Sequence, residues 1–262
     1  MDDKIINKIL DEVMKKVNTE GAKSSAPATA NFRSSSMTEF VGTAVGDTIG
    51  LVIASVDSAL HDAMGIDKKY RSIGILGART GAGPQIMAID EAVKATNTEV
   101  LSIELPRDTQ GGAGHGSLII VGSEDVSDAR RAIEVALKEL DRTMGDVYAN
   151  AAGHLEFQYT ARASLALEKA FKAPLGKSFG LIVGAPAAIG VVMADVAVKA
   201  ANVDVLGVAS PGKGTSNSNE YILTISGDSG AVRQSVIAAR EAGLSLLQAL
   251  GGQANSVTKP YI

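Results

Sequence analysis

No cysteine occurs anywhere in the 262-residue chain. Disulfides, iron–sulfur clusters and thiolate metal sites are therefore excluded. Tryptophan is also absent and aromatic residues make up only 4% of the sequence, which leaves little ring surface for stacking nucleic-acid bases. The net charge is −4, and no cluster of five or more basic residues supplies the electrostatic footprint of a nucleic-acid binder. No apolar stretch approaches the ~20 residues that span a bilayer. The first residues, with Asp2, Asp3 and Lys4, lack the pattern of a secretory signal. The expectation from these absences is a soluble, cytoplasmic protein that binds neither nucleic acid nor membrane.

What is present is small and aliphatic. Hydrophobic residues reach 45%, mostly Ala, Val, Ile and Leu, and there are 28 glycines. That composition suits a tightly packed α/β (α+β) protein, and the length suffices for two domains with their own cores. The chain also repeats itself. Asp90-Glu-Ala-Val-Lys-Ala-Thr-Asn-Thr-Glu-Val-Leu101 returns as Asp195-Val-Ala-Val-Lys-Ala-Ala-Asn-Val-Asp-Val-Leu206, an offset of 105 positions. The same offset sets Pro106 on Pro211, Leu118 on Leu223, Ile120 on Ile225 and Gly122 on Gly227. With a one-residue indel, Ser72-Ile-Gly-Ile-Leu76 meets Ser178-Phe-Gly-Leu-Ile182. Such a repeat is a whole duplicated domain, longer than the units of about 20–50 residues that build solenoids. A chain of two like halves is a pseudo-symmetric block suited to closing into a ring.

Periodicity and Gly/Pro punctuation give each half the order strand, helix, strand, helix, strand, loop, strand, helix. In the first half, strands are predicted at 48–55, 72–78, 99–105 and 117–122, with helices at 86–96 and 127–140. In the second, strands are predicted at 155–160, 179–185, 204–208 and 221–226, with helices at 191–201 and 231–250. The two hairpin loops, 106–116 and 210–219, are long for such connections, and function is placed preferentially in loops of this kind. Ahead of the repeats, residues 2–17 carry Ile5, Ile6, Ile9, Leu10, Val13 and Val17 at helical spacing, and 21–36 is an Ala/Ser/Thr/Pro-rich linker. The resulting division is 1–20 helix, 21–36 linker, 37–146 first copy, 147–250 second copy and 251–262 tail. A lone helix of ~16 residues is marginal in water. Three fates are open to it: packing on its own domain, docking another protein, or touching a membrane.

Catalytic chemistry is hard to find. Gly176-Lys177-Ser178 ends like a phosphate loop, but Phe171 stands where the first glycine belongs, and the lysine precedes a strand. Gly74 to Gly83 has a dinucleotide-site context with the wrong glycine spacing. His61, His115 and His154 are not at metal-ligand spacing; His61 reads as a surface helix residue. Ser117 lacks the G-x-S-x-G frame of an activated nucleophile. No catalytic residue, metal or cofactor is expected. The rival reading is a small-molecule-binding enzyme or sensor with a site between the halves.

The stretch Ala194 to Gly207, followed after a loop by Ile222-Leu-Thr-Ile-Ser-Gly-Asp-Ser-Gly-Ala-Val-Arg233, resembles the shell-protein domain of bacterial microcompartments. The first half repeats it at Asp90–Leu101 and Leu118–Gly122, and a strand and helix precede the signature in both halves, as in circularly permuted members. The resemblance covers residues 38–250 and is strongest to members from propanediol-utilisation systems, with ethanol-utilisation members as the alternative. It implies two tandem circularly permuted shell domains, each an antiparallel sheet with flanking helices. It further implies a homotrimer that mimics a hexamer and tiles shell facets beside other shell proteins. Lys94, Asn97, Lys199 and Asn202 fall at the family's tiling edge. Arg107, Asp108, Gln110 and His115, with Lys213, Thr215, Asn217 and Asn219, fall on the loops around the central axis. A passage for small polar molecules such as 1,2-propanediol or glycerol is expected between the halves, lined by Arg79, Thr80, Gly81, Tyr148, Asn150, Glu156, Ala187 and Ala188. The N-terminal helix, through Ile5, Ile9, Leu10 and Val13, is expected to dock the enclosed enzymes, and Met37 reads as an internal start.

Overall fold

The computed structural model describes residues 38–79, 81–106, 116–212 and 219–262. The expected N-terminal helix with Ile5, Ile9, Leu10 and Val13, the linker, Thr80, and the loop residues Arg107, Asp108, Gln110, His115, Lys213, Thr215 and Asn217 lie outside the described residues.

Two antiparallel sheets carry the fold. The first has the order β1-β2-β3-β5-β4 and is built from β1 (Thr38–Ala44), β2 (Thr48–Ile53), β3 (Ser72–Ala78), β4 (Glu99–Glu104) and β5 (Ser117–Ser123). The second has the order β11-β6-β7-β8-β10-β9. Its strands are β6 (Val147–Asn150), β7 (Gly153–Thr160), β8 (Ser178–Ala185), β9 (Val203–Ala209), β10 (Tyr221–Gly227) and β11 (Asn255–Ser256). The helices are α1 (Ser58–Met64), α2 (Gly83–Lys94), α3 (Val126–Thr143), α4 (Leu165–Phe171), α5 (Ala187–Ala200) and α6 (Ser229–Gly251). The strands β1, β6 and β11 were not expected from the sequence; each is short or Gly-containing and carries a weak alternation.

Glycine lets the long helices approach the sheets. A Cβ on Gly74 would lie 2.8 Å from Ile133 of α3, and one on Gly180 would lie 3.0 Å from Val232 of α6. Gly74 and Gly180 are equivalent in the two halves, and their ladder partners fix the rest of the correspondence. Val121 pairs with Gly74 and Ile225 with Gly180. The expected match of Leu118, Ile120 and Gly122 with Leu223, Ile225 and Gly227 is therefore one residue out. A one-residue shift reverses the face of every strand residue. Ile119 and Val121, like Leu223 and Ile225, join the helix-side cores, whereas Ile120 belongs to a small cluster with Ile73 and Val56. His61 also departs from expectation. It is buried, and its Nε2 donates to the Tyr70 carbonyl at 2.9 Å.

The core of the first half does not stop at its own boundary. Ile86, Met87 and Ile89 share one cluster with Ala166, Leu167, Phe179 and Leu181 of the second half. The two halves are joined by packing as well as by chain. The tail adds a strap across the turn that connects them. Asp146 Oδ2 accepts from the backbone N–H of Tyr261 at 2.8 Å and of Ile262 at 3.0 Å. Arg240 Nη1 donates to Asp146 Oδ1 at 2.7 Å and to the Ile262 carbonyl at 2.6 Å.

Candidate functional site

The seam between the halves starts from one buried carboxylate. Helix α4 begins after Ser164, whose own hydroxyl does not cap it. The acceptor comes from α2 in the other half: Asp90 Oδ1 accepts from Ser164 N at 3.1 Å, Ser164 Oγ at 2.6 Å and Leu167 N at 3.3 Å. Lys94 Nζ lies 2.8 Å from Asp90 Oδ2 and 2.9 Å from Glu91 Oε1. A carboxylate at a helix N-terminus, neutralised by a neighbouring cation, is tolerable in the interior because each of its oxygens is partnered. Around it, Ile86 and Met87 of α2 are packed with Ala166, Leu167 and the partly buried Phe171 of α4. Phe171 stacks on Phe179 with ring centroids 5.3 Å apart.

The duplication supplies a second copy of both seam faces, and both are bare. Val191, Val192 and Asp195 on α5 occupy the places of Ile86, Met87 and Asp90 on α2. Val191 is 50% exposed and Val192 45%, against 0% for Ile86 and Met87. The left-handed caps Gly65 and Lys172 fix the match of α1 with α4. Leu60 and Met64 then stand where Leu167 and Phe171 stand, and both are 41% exposed. Asp57 takes the place of Ser164, and its side chain accepts from Ala59 N at 2.8 Å. Two faces that fit each other within the chain thus recur, uncovered, on α1 and α5.

The seam also encloses a cavity of about 520 Å³. The first half lines it with Gly81, Gly83, Pro84, Ile86 and Leu105, among others; the second with His154, Glu156, Phe171, Leu181, Leu206 and Glu220, among others. Its wall is largely apolar with a few convergent polar groups, as in small-molecule sites. Glu156 is 8% exposed, and its Oε1 has no hydrogen-bond partner among the described residues. Burial pushes its carboxyl up to about 7; the His154 side chain opposes the rise, Glu220 adds to it, and the neighbouring Gln158 opposes it. His154 Nε2 lies 3.3 Å from Glu220 Oε1. A Cβ at position 83 would meet the Glu156 carboxyl, so a larger residue there would push that side chain from its place.

Of the residues expected along this passage, Gly81 and Glu156 are brought together at the cavity. Arg79 is exposed at the end of β3. Tyr148 belongs to the core of the second half, where its hydroxyl donates to Asp146 Oδ1 at 3.2 Å. Asn150 ties turns together: its Nδ2 donates to the Leu247 carbonyl at 3.1 Å and the Gly252 carbonyl at 2.8 Å. Ala187 and Ala188 open α5, and Ala187 N donates to Asn219 Oδ1 at 3.1 Å. Asn219 thereby caps a helix whose preceding residue, Pro186, cannot. Asn97, Lys199 and Asn202 are exposed, and Lys199 Nζ pairs with Asp195 Oδ2 at 2.6 Å. Sequence reasoning missed His154 and Glu220 as site residues. They lie 66 positions apart and meet only because β7, β8 and β10 are neighbours in the sheet.

The BMC domain family matches residues 72–173 and 178–253. The first match begins at β3 and ends beyond α4, in the second half, so the family's own order of elements is offset from that of this chain. Over 230 residues the chain is 72% identical to the bacterial microcompartment shell protein PduB of Citrobacter freundii, covering 88% of this chain and 85% of the relative. It is 57% identical to a solved trimeric bacterial microcompartment shell protein PduB, with a TM-score of 0.82, covering 86% of this chain and 99% of that one. It is 59% identical to the solved EtuB from Clostridium kluyveri, with a TM-score of 0.84 and coverage of 87% and 100%.

Proposed function

This chain belongs to the BMC-domain shell proteins of bacterial microcompartments, and from that premise we propose how it assembles and what it lets through. It is a structural protein of the shell. Three copies close into a ring in which α5 of one copy covers α1 of the next, repeating between chains the seam that α2 and α4 make within one. The observation that carries this is the mismatch in burial between like positions: Ile86 and Met87 are covered, Val191 and Val192 are not. Burying each large aliphatic side chain is worth roughly 1.5–3 kcal/mol, so a seam with several of them is a strong contact. A head-to-tail contact of this kind closes into a ring or runs into a filament. The trimeric state of the solved PduB relative supports the ring.

The rings tile side by side into facets through the edge bearing Lys94, Asn97, Lys199 and Asn202, and other shell proteins of the same domain family are their neighbours. The seam cavity is the passage for small polar molecules, with 1,2-propanediol or glycerol as its cargo. The 72% identity to a PduB protein supports a propanediol-type compartment over an ethanol-type one. Arg107, Asp108, Gln110, His115, Lys213, Thr215, Asn217 and Asn219 belong to the loops that surround the central axis. The N-terminal segment with Ile5, Ile9, Leu10 and Val13 docks the enclosed enzymes.

Analytical ultracentrifugation of the full chain tests the assembly. A species of three times the 26.9 kDa chain mass is expected. A monomer at micromolar concentration would refute it. Crystals soaked with 1,2-propanediol test the passage, with density expected beside Glu156.

A further inference from the structure

We propose that Glu156 makes the seam passage a charge filter, admitting neutral hydroxyl-bearing molecules and turning back small carboxylate anions. This inference rests on the passage reading given above and adds to it a basis for selection.

Among the described residues that line the cavity, those with ionisable side chains are His154, Glu156 and Glu220. His154 and Glu220 face each other at 3.3 Å, and their charges offset each other when the imidazole is protonated. Among the described residues Glu156 has no hydrogen-bond partner on Oε1. The remaining wall includes Ile86, Leu105, Phe171, Leu181 and Ile222, which screen charge poorly. In a narrow apolar passage the field of one unpaired charge is focused along the path. An anion entering would meet the Glu156 carboxylate, whose Oε1 has no hydrogen-bond partner among the described residues. A neutral diol meets a different environment: its hydroxyl can donate to Oε1, or accept from the carboxyl when that is protonated.

The second kind of seam lacks this device. By the match that sets α1 on α4, Ile49 stands where Glu156 stands and Asp47 where His154 stands. Ile49 is an exposed apolar residue. A carboxyl at the Glu156 place is thus specific to the seam within the chain, the other seam carrying Asp47 at the His154 place instead, while the faces that bury are common to both.

The filter also depends on pH. The groups facing Glu156 are His154 and Gln158 on its own strand β7, Glu220 just ahead of β10, and the backbone of α2 at Gly83; β8 presents Leu181 and Val183. With its carboxyl raised by burial to about 7, Glu156 changes from acid to carboxylate across neutral pH. Anion rejection therefore strengthens from pH 5.5 to pH 8.5.

The test compares 1,2-propanediol with lactate, which replaces the hydroxymethyl group by a carboxylate on the same skeleton. Ligand-observed saturation-transfer NMR is run on the full-length assembled protein and on Glu156→Gln, at both pH values. Propanediol is expected to give signal with both proteins. Lactate at pH 8.5 is expected to be about tenfold weaker with the wild type, as one unscreened charge contact implies, and to recover with Glu156→Gln. Equal lactate and propanediol signals with the wild type, or an unchanged lactate deficit with Glu156→Gln, would overturn the filter. Absence of propanediol signal from the wild type would overturn the passage reading and the filter with it. Should Glu156→Gln fail to fold, the wild-type lactate signal at the two pH values decides alone: no rise at pH 5.5 refutes the filter.

Discussion

The carboxylate of Asp90 in one half accepts a 2.6 Å hydrogen bond from the hydroxyl of Ser164 in the other. It also accepts the first backbone donors of α4, so a helix of the second half is capped by a residue of the first. Asp90→Ala strands those donors and leaves Lys94 beside a vacated site. Losing a cap costs about 1 kcal/mol and breaking a buried ion pair about 3–5, so a loss of roughly 3 kcal/mol or more is expected in chemical denaturation. Asp195→Ala, at the equivalent exposed position, is the control and should shift the folding midpoint of a dissociated chain by far less. Equal midpoints for the two variants would remove the seam cap from the account.

The uncovered faces predict their own disruption. Leu60→Asp on α1, or Val192→Asp on α5, places a charge where a neighbouring copy should pack. Both residues are exposed, so the chain itself should fold normally. The sedimenting mass should fall to that of a single chain, while circular dichroism stays as in the wild type. A trimer that survives both substitutions would mean that the ring uses other faces.

Tiling is separable from ring closure. Lys94→Ala together with Lys199→Ala is expected to leave rings intact and to reduce the ordered sheets seen by electron microscopy. Because Lys94 also holds Asp90, the double variant should be somewhat less stable than Lys199→Ala alone. Sheets of wild-type extent from the double variant would assign the edge to other residues.

The raised Glu156 carboxyl carries a signature in stability. Its folded value of about 7 stands above the ordinary 4.5, so the folded state binds the proton more tightly than the unfolded chain. Its contribution to stability is full below pH 4.5 and is lost as pH rises through about 7, beyond which it is constant. Glu156→Gln should flatten that part of the stability profile between pH 5 and pH 8. Superimposable profiles for the two proteins would show that the group ionises normally.

The N-terminal segment has a direct test. A chain beginning at Met37 should assemble and tile as the full chain does, yet fail to retain enclosed enzymes in purified compartments. Retention at wild-type levels would assign docking elsewhere.

Much of this was legible in the residues. The run Asp90–Leu101 and its copy at Asp195–Leu206 keep the same pattern, so duplication is plain, and with it two like sheets with helices. The register of β5 against β10 was not. Leu118 and Leu223 look alike, and only the pairing of Val121 with Gly74 and Ile225 with Gly180 fixes which residues face the helices. Glu156 could be placed near the join because it lies close to it in sequence. Glu220 could not, since its nearness to His154 arises from strand order. Tyr148 looked equally suited to the passage, yet its ring packs edge-on against Phe157 with centroids 6.3 Å apart.

By itself the sequence determined the repeat, the class of fold and the lack of thiol chemistry, because composition and periodicity are properties of neighbouring residues. Tertiary structure decided which of two nearly identical faces is covered. Ile86 and Val191 sit on like helices in like halves, and nothing local distinguishes them. Joining the halves sets α4 against α2 and leaves the like faces of α5 and α1 exposed, so burial follows from the order in which the chain joins its halves.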